Sequence, residues 1–397
     1  MDNGLFGRRN AAIDMLRGLT MFLMIMVNHF WTVIDVPHAL EHFDIYEDGM
    51  GLSDIVFPMF LFAMGMSIPY AIERRFSKGF SGESTLGHIL SRTLALLLMG
   101  VFIVNSEGGF SSTLGYSKGI YWLLMVTGFF LVWNCYPKDF RAKGWLQGLG
   151  IAVLTFLALT FRTPEGGYFN TGWWGILGLI GWAYLFCAVS YLLCRKRPAA
   201  LAALWLGLIV LNILTTGLRD GSSLISGGNF IDSFAGALHL GNGSCALMAM
   251  GGILLSVSER HLDGQTAWRR IGFGLGAAAL LALAGLLAHQ WWITSKNIGT
   301  LPWCLYVSAL SVALYVLLRV LEAKNLTGWF RIIRPAGTAT LTAYMVPYIF
   351  YILWVFINPE IPAWMCGWVG VLKCALFSLV CIGIAGALGR IGLKLKI

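Results

Sequence analysis

Charged residues are scarce in this sequence: only 12% of its 397 residues are Asp, Glu, Lys or Arg. Soluble globular domains carry charges on roughly a quarter of their residues, so this composition excludes an ordinary soluble domain. Hydrophobic residues instead make up 57% of the chain. In a bilayer, long apolar stretches must satisfy their backbone hydrogen bonds internally, which favours helices. We therefore predict an all-α, polytopic transmembrane helical bundle.

The eight cysteines follow no disulfide or metal-binding pattern. Each lies within an apolar stretch, and none shows the paired spacing that is typical of a zinc site. A buried free cysteine behaves as a small apolar side chain. We therefore expect neither a disulfide framework nor a metal site from these residues, which are Cys135, Cys187, Cys194, Cys245, Cys304, Cys366, Cys374 and Cys381.

Apolar stretches of about 17–25 residues alternate with short charged segments, and this is the length of a membrane-spanning helix. We predict about twelve spans, within a range of about 10–12, in a single domain over residues 1–397. The predicted helices cover residues 16–36, 54–72, 87–105, 119–136, 146–162, 173–194, 199–217, 235–257, 271–293, 301–320, 338–357 and 364–388.

Most of the 28 lysines and arginines fall in alternate segments between the predicted helices. Positively charged loops stay on the cytoplasmic side of a membrane. This pattern predicts that both termini are cytoplasmic and that the loop between the first two helices faces outward. The formal net charge of +9 arises from these short loops, so it does not indicate a nucleic-acid partner.

The first outer loop is rich in titratable side chains. Between Val36 and Asp54 it holds His38 and His42, two of the seven histidines, among four carboxylates. Ionisable groups at membrane depth are costly unless they serve a function. A histidine with a carboxylate partner suits proton transfer near neutral pH. If the loop is helical, the two histidines share one face, which would also suit a metal ion; a solvated loop is the third interpretation.

Other polar residues interrupt or border the apolar stretches. Asn28 and His29 lie late in the first predicted helix, where an amide needs a hydrogen-bonding partner. Asp54 opens the second helix and is expected to cap its free backbone N–H groups. Asp14 and Arg17 share a face at the cytoplasmic end of the first helix, where the arginine suits either an anionic ligand or a topological anchor.

A series of motifs runs through the first quarter of the chain. It begins with Ile13-Asp14-x-x-Arg17-Gly18 and Val27-Asn28, and it ends after the histidine loop with Asp54-Ile55-Val56-Phe57-Pro58-x-Phe60-Leu61-Phe62-x-x-Gly65. A looser match follows at Lys296-Asn297-Ile298 and Trp303. This order resembles the heparan-alpha-glucosaminide N-acetyltransferase family of membrane acyltransferases, including its bacterial members, most closely over residues 9–105.

The resemblance implies a transfer of acetyl from acetyl-CoA to the amine or hydroxyl of an extracytoplasmic sugar. In that family a histidine at the outer end of the first span is catalytic. Carried over to this sequence, that role favours His42, with His38 second, and Asn28 and Asp54 accompany it. Either direct transfer or an acetyl-histidine intermediate is compatible with this assignment.

The resemblance also implies binding partners. Two arginines lie near predicted cytoplasmic span ends and would hold the phosphates of CoA, namely Arg17, with its neighbour Asp14, and Arg92. We expect the lipid bilayer, acetyl-CoA and a carbohydrate acceptor as partners, in a bacterial cytoplasmic membrane. A homodimer is left open.

Two other functions are left open by the sequence. A proton-coupled transporter of an organic solute would line its path with intramembrane polar residues, namely Asn28, His29, His239 and Asn242. An inactive relative of the acyltransferases would keep the fold without the reaction.

Overall fold

A computed structural model describes residues 10–137, 139–225 and 228–397. The described secondary structure is almost entirely helical, which confirms the predicted all-α class. The helices are α1 (Ala11–Val27), α2 (Leu52–Ser77), α3 (Gly82–Glu107), α4 (Lys118–Trp133), α5 (Lys143–Thr160), α6 (Gly175–Cys194), α7 (Pro198–Thr215), α8 (Phe230–Ala237), α9 (Ser244–His261), α10 (Ala267–Ala288), α11 (Leu301–Ala323), α12 (Phe330–Thr338), α13 (Thr340–Ile357) and α14 (Gly367–Arg390).

By length and composition, ten of the described helical segments can cross a membrane. They correspond to α1, α2, α3, α5, α6, α7, α10, α11, α13 and α14. Helix α4 is also apolar but is shorter, with 16 residues. The chain is therefore an integral membrane protein, and the number of candidate spans lies within the predicted range.

The helix predicted over residues 235–257 is interrupted, so that prediction was wrong. Helix α8 ends at Ala237 and α9 begins at Ser244. Between them the backbone is left-handed at His239, Gly241 and Gly243, with φ of 51°, 55° and 81°. Glycine adopts this conformation without steric cost, and a left-handed residue ends an α-helix.

The described residues form two compact units, each assembled from separate stretches of the chain. The first unit comprises Met1–Thr20, Val36–Leu90 and Trp182–Arg331. Within it α2 packs on α9, and α10 packs on α11. A side-chain carbon at Gly65 would overlap the carbonyl oxygen of Ala249, so the glycine permits the close approach of α2 to α9.

The second unit comprises Met21–Asp35, Ser91–Gly181 and Ile332–Ile397. Within it α4 packs on α5 and α13, and α13 packs on α14. Two short antiparallel strands, β1 (Ser111–Ser112) and β2 (Phe161–Arg162), join the segments that follow α3 and α5. The single domain predicted over residues 1–397 stays a prediction.

Candidate active site

The first turn of α2 places Asp54 at the centre of a group of hydrogen bonds in the first unit. Its Oδ2 atom accepts from the backbone N–H groups of Phe43 and Gly51, both at 3.1 Å. A carboxylate at the start of a helix stabilises unpaired N–H groups there. The prediction that Asp54 is the N-cap was wrong, because Gly51 is the cap residue, but the Asp54 carboxylate does accept from the backbone N–H of that cap. The Asp54 side chain is only 2% exposed.

The other carboxylate oxygen of Asp54 fixes the ring of His42. The distance between Asp54 Oδ1 and His42 Nδ1 is 2.7 Å. So short a contact requires a proton on Nδ1, because two lone pairs would otherwise repel. A neutral imidazole then keeps its lone pair on Nε2. His42 has 53% of its side chain exposed, and a buried carboxylate sets its tautomer, an arrangement that suits proton transfer at Nε2.

Lys296 joins this pair from the segment between α10 and α11. Its Nζ atom lies 3.0 Å from Nδ1 and 3.4 Å from Nε2 of His42, and 3.8 Å from Oδ1 of Asp54. Burial lowers the pKa of Lys296, and the negative charge of Asp54 opposes this shift. A cation, an imidazole and an anion thus form one group, which we call the His42–Asp54–Lys296 triad.

Amide side chains hold the turn that carries Lys296. The side-chain N–H group of Asn242 donates to the carbonyl of Ile298 at 2.6 Å, and that of Asn212 donates to the carbonyl of Gly299 at 2.8 Å. Gly299 has φ of 70°, and a side-chain carbon there would lie 2.8 Å from the Asn242 nitrogen. Asn242, in the break between α8 and α9, therefore bonds neighbouring segments together.

Asp48 anchors the histidine loop to the same segment. Its carboxylate lies 2.7 Å from Nη2 of Arg219 and 2.8 Å from Nε2 of His289, and it accepts from the backbone N–H of Thr294 at 2.8 Å. Burial would raise the pKa of Asp48, but the hydrogen bonds from Thr294 and His289 and the nearby cations hold it below its ordinary value.

Two further contacts join the loop and the lysine segment. Asn297 donates from its side chain to the carbonyl of Phe43 at 3.1 Å, and Ser295 donates from its hydroxyl to the carbonyl of Ile45 at 2.9 Å. The residues on either side of Lys296 thus contact the residues just after His42. This pairing explains how a lysine so distant in sequence meets the histidine.

His38 does not share a helical face with His42, so the helical arrangement considered for this loop was wrong. The residues His38–Leu40 form one 3₁₀ turn, after which the chain is extended. His38 Nε2 lies 2.7 Å from Oε1 of Glu47, and the His38 ring stacks on Phe43 with centroids 4.3 Å apart. Because each histidine pairs with a different carboxylate, the two rings do not converge on one metal ion.

Asn28, the fourth predicted catalytic residue, belongs to the second unit. There it lines a cavity of about 230 Å³ together with Glu107, Tyr344, Tyr348 and Tyr351. Asn28 therefore has polar neighbours within its own unit, and its catalytic role stays a prediction.

The predicted CoA-binding residues are divided between the units. Asp14 and Arg17 lie on α1 in the first unit, and Arg92 lies on α3 in the second. All three are half-buried. Their assignment to CoA stays a prediction.

The two histidines considered for a transport path both stack on aromatic rings. Within the second unit, the ring centroids of His29 and Phe377 are 3.9 Å apart. His239 lies 4.0 Å from Trp182, within the first. Both rings therefore contribute to aromatic packing.

The sequence did not single out Lys296 or Asp48 as site residues. A weak signal existed for each: Lys296 is one of few bases on the side predicted to be outer, and it lies in the Lys296-Asn297-Ile298 motif. Asp48 belongs to the acidic loop. Their roles depend on contacts with residues more than 150 positions away, which no local pattern predicts.

Comparisons with known proteins agree on a family. The profile of the family described as "Domain of unknown function (DUF5009)" matches residues 9–222. Heparan-alpha-glucosaminide N-acetyltransferase of Mus musculus is 30% identical over 200 residues, covering 43% of this chain and 29% of the relative. The Homo sapiens protein of that name is 33% identical over 162 residues, covering 39% of this chain and 20% of the relative. The matches thus span under a third of these relatives' length.

Proposed function

Because this chain belongs to the family described as Domain of unknown function (DUF5009) and is related to the heparan-alpha-glucosaminide N-acetyltransferases, we propose that it is a membrane acyltransferase. The proposed reaction transfers an acetyl group to the amine or hydroxyl of an extracytoplasmic sugar. The acetyl group and the sugar class come from the relatives' name. Acetyl-CoA is the donor that the motif resemblance implies.

One observation supports the proposal most: the buried Asp54 carboxylate lies 2.7 Å from Nδ1 of the half-exposed His42. The Nε2 lone pair then accepts the proton of the attacking amine or hydroxyl. The acceptor nitrogen or oxygen forms a bond to the acetyl carbon, and the C–S bond of the thioester then breaks. The departing CoA thiolate takes the proton from Nε2, which restores the neutral ring.

The other predicted site residues take supporting roles in this proposal. His38 lies in the same loop as the base, and Asn28 keeps the accompanying role that the resemblance implies. Arg17 with its neighbour Asp14, and Arg92, would contact CoA phosphates, because guanidinium groups bind phosphate through paired hydrogen bonds. Arg17 lies in the N-terminal half of α1 and Arg92 lies ten residues after the start of α3, and both helix starts are predicted to be cytoplasmic.

The test is acceptor-dependent consumption of the thioester by the purified protein. Free thiol release from acetyl-CoA would be followed while a panel of amino sugars, with matched sugars lacking the amine, is added. We expect release only with an acceptor, together with one acetylated product per thiol. Acetyl-CoA should also raise the melting temperature, since a ligand that binds only the folded state stabilises it.

A second measurement examines the proposed phosphate contact. Arg17→Ala should reduce the stabilisation by acetyl-CoA, and Arg74→Ala serves as a control because Arg74 is another base near a predicted cytoplasmic helix end. Absence of thiol release with every acceptor, combined with solute-dependent proton uptake into liposomes, would favour the proton-coupled transporter instead.

A further inference from the structure

Lys296 forms an ion pair with Asp54 but no hydrogen bond to it. The two Asp54 oxygens already accept from His42 Nδ1 and from two backbone N–H groups. The distance of 3.8 Å from Lys296 Nζ to Asp54 Oδ1 is longer than a hydrogen bond. The carboxylate is therefore satisfied without the ammonium group.

The contact with His42 also leaves some of the N–H donors of the Lys296 ammonium group without a hydrogen-bond acceptor in the triad. The short Nδ1–Asp54 contact places the ring proton on Nδ1, so that atom cannot accept from Lys296 at 3.0 Å. The remaining acceptor is Nε2, at 3.4 Å. An ammonium group has three donors. The ammonium group therefore retains N–H donors close to His42 Nε2, the atom that accepts the proton in the proposed reaction.

We propose that Lys296 is a catalytic residue whose ammonium group donates to the carbonyl oxygen of the acyl donor as negative charge develops there. This inference rests on the proposed acyl transfer. As the acceptor attacks the carbonyl carbon, the C=O electron pair moves to oxygen and the acceptor proton moves to His42 Nε2. When the C=O bond reforms, the electron pair of the C–S bond leaves with the sulfur, which takes the proton from Nε2.

Charge pairing within the triad supports this role. In the resting group, the ammonium of Lys296 and the carboxylate of Asp54 balance each other across a neutral ring. When His42 gains a proton, the resulting imidazolium faces the Asp54 carboxylate. The oxyanion formed at the same moment faces the ammonium group. Each charge that develops thus meets a fixed opposite charge, which is how preorganised sites stabilise such transition states.

Geometry gives the ammonium group the necessary reach. Nζ lies 3.4 Å from Nε2, and a reacting carbonyl must sit within about 3–3.5 Å of the nucleophile whose proton Nε2 accepts. The turn that carries Lys296 is fixed by amide bonds from Asn212 and Asn242. The side chain is 24% exposed, so a ligand can approach it.

The experiment compares Lys296→Met, Lys296→Arg and Lys296→Ala with the wild type, using Lys118→Met as the control for loss of an outer-side lysine. We expect Lys296→Met to lower kcat by about 10²–10³-fold, the usual effect of losing one oxyanion donor, with little change in the acceptor KM. Lys296→Arg should retain more activity because it keeps a charged donor. Lys118→Met should leave kcat unchanged.

Two readouts separate the catalytic role from a structural one. Propylammonium should partly restore kcat in Lys296→Ala without changing its melting temperature. In the wild type, activity should fall as pH rises and Lys296 loses its proton, at a lower pH than an ordinary lysine would require; His42 and Asp54 are the titratable groups that face it. In Lys296→Met, this fall in activity at high pH should be absent.

Wild-type kcat in Lys296→Met, with His42→Ala inactive, would overturn the role of Lys296 and leave the acyltransferase proposal standing. A folded wild-type protein that releases no thiol with any acceptor would overturn both. Should Lys296→Met fail to fold, equal kcat in folded Lys296→Arg and Lys296→Ala, with no amine rescue, would contradict the inference.

Discussion

Asp48 and His289 are 241 positions apart in the chain, yet Oδ1 of Asp48 lies 2.8 Å from Nε2 of His289. This contact ties the loop before α2, which carries His42, to the segment after α10, which carries Lys296. The triad consequently depends on a docking interaction outside itself. Residues outside the triad therefore help to set the distance between His42 and Lys296.

Asp48→Asn should weaken this docking. The amide removes the charge that Arg219 and His289 face, and hydrogen bonds to a charged group contribute about 1.5–3 kcal/mol each when well formed. Because these partners are partly exposed, we expect a loss of about 1–2 kcal/mol in the free energy of unfolding, with lower kcat. Thermal denaturation in detergent and the thiol-release assay would measure both.

Asp44→Asn is the matched control, since Asp44 is an exposed carboxylate in the same loop. It should leave stability and kcat nearly unchanged. Equal melting temperatures for the wild type and Asp48→Asn would contradict the anchoring role.

The contribution of Asp48 to the free energy of unfolding should depend on pH. Its pKa is below the ordinary value of 3.8 in the folded state, so the folded protein binds fewer protons than the unfolded chain in the acidic range. The Asp48 contribution is therefore complete above that ordinary value and is lost as pH falls through the folded pKa. We expect the stability difference between wild type and Asp48→Asn to be largest near neutral pH and to shrink in acid. A stability difference between these two proteins that grows as the pH falls would contradict the lowered pKa of Asp48.

The helices were largely predictable because a bilayer forces apolar stretches to satisfy their own hydrogen bonds. The prediction failed over residues 235–257, where overall apolarity concealed left-handed residues around Gly241 and Gly243. Hydropathy averages over a window and is insensitive to one backbone conformation. A Gly-Asn-Gly sequence is the local feature that indicates the break.

The site was predictable only in its local part. His42 and Asp54 are 12 residues apart, and the start of α2 brings them together. Lys296 lies 254 residues from His42, so its approach depends on tertiary packing. The contacts within each unit do not test the predicted roles, which therefore stay predictions for His42, His38, Asn28, Asp54, Arg17, Asp14 and Arg92.

The orientation prediction is tested by labelling. A cysteine introduced at Ser111, in the exposed strand β1, should react with a membrane-impermeant thiol reagent in intact cells, and one at Ser81 should not. The distribution of basic loops predicts that Ser111 lies outside and Ser81 inside. Labelling of the unmodified chain, which has exposed Cys135 and Cys366, supplies the background. The reverse pattern would move the histidine loop to the cytoplasm.

The two histidines of the loop should differ in importance. His42→Ala removes the base and should lower kcat by about 10²–10⁴-fold, while binding of acetyl-CoA persists. His38→Ala removes only the Glu47 contact and the stacking on Phe43, so its effect should be smaller. Steady-state kinetics with thermal shifts by acetyl-CoA would separate the two effects. Full activity in His42→Ala with loss in His38→Ala would assign the base to the other histidine.

Asp54→Asn offers the sharpest test of the tautomer. The asparagine oxygen can still accept from a backbone N–H group, but its amide donates toward His42 Nδ1 and so favours a proton on Nε2. With a proton there, Nε2 can no longer accept one from the attacking group. We therefore expect kcat to fall by about 10²–10⁴-fold, as for loss of the base itself.

Asp54→Glu supplies the comparison for this variant because it keeps the carboxylate but shifts its position, and we expect intermediate activity. Both variants lose some helix-capping stability at Gly51 and Phe43, so a shared fall in melting temperature is expected. The difference in kcat between them isolates the effect of the acceptor at Nδ1. If Asp54→Asn and Asp54→Glu had equal kcat, the carboxylate would stabilise only the start of α2, and the tautomer of His42 would not affect catalysis.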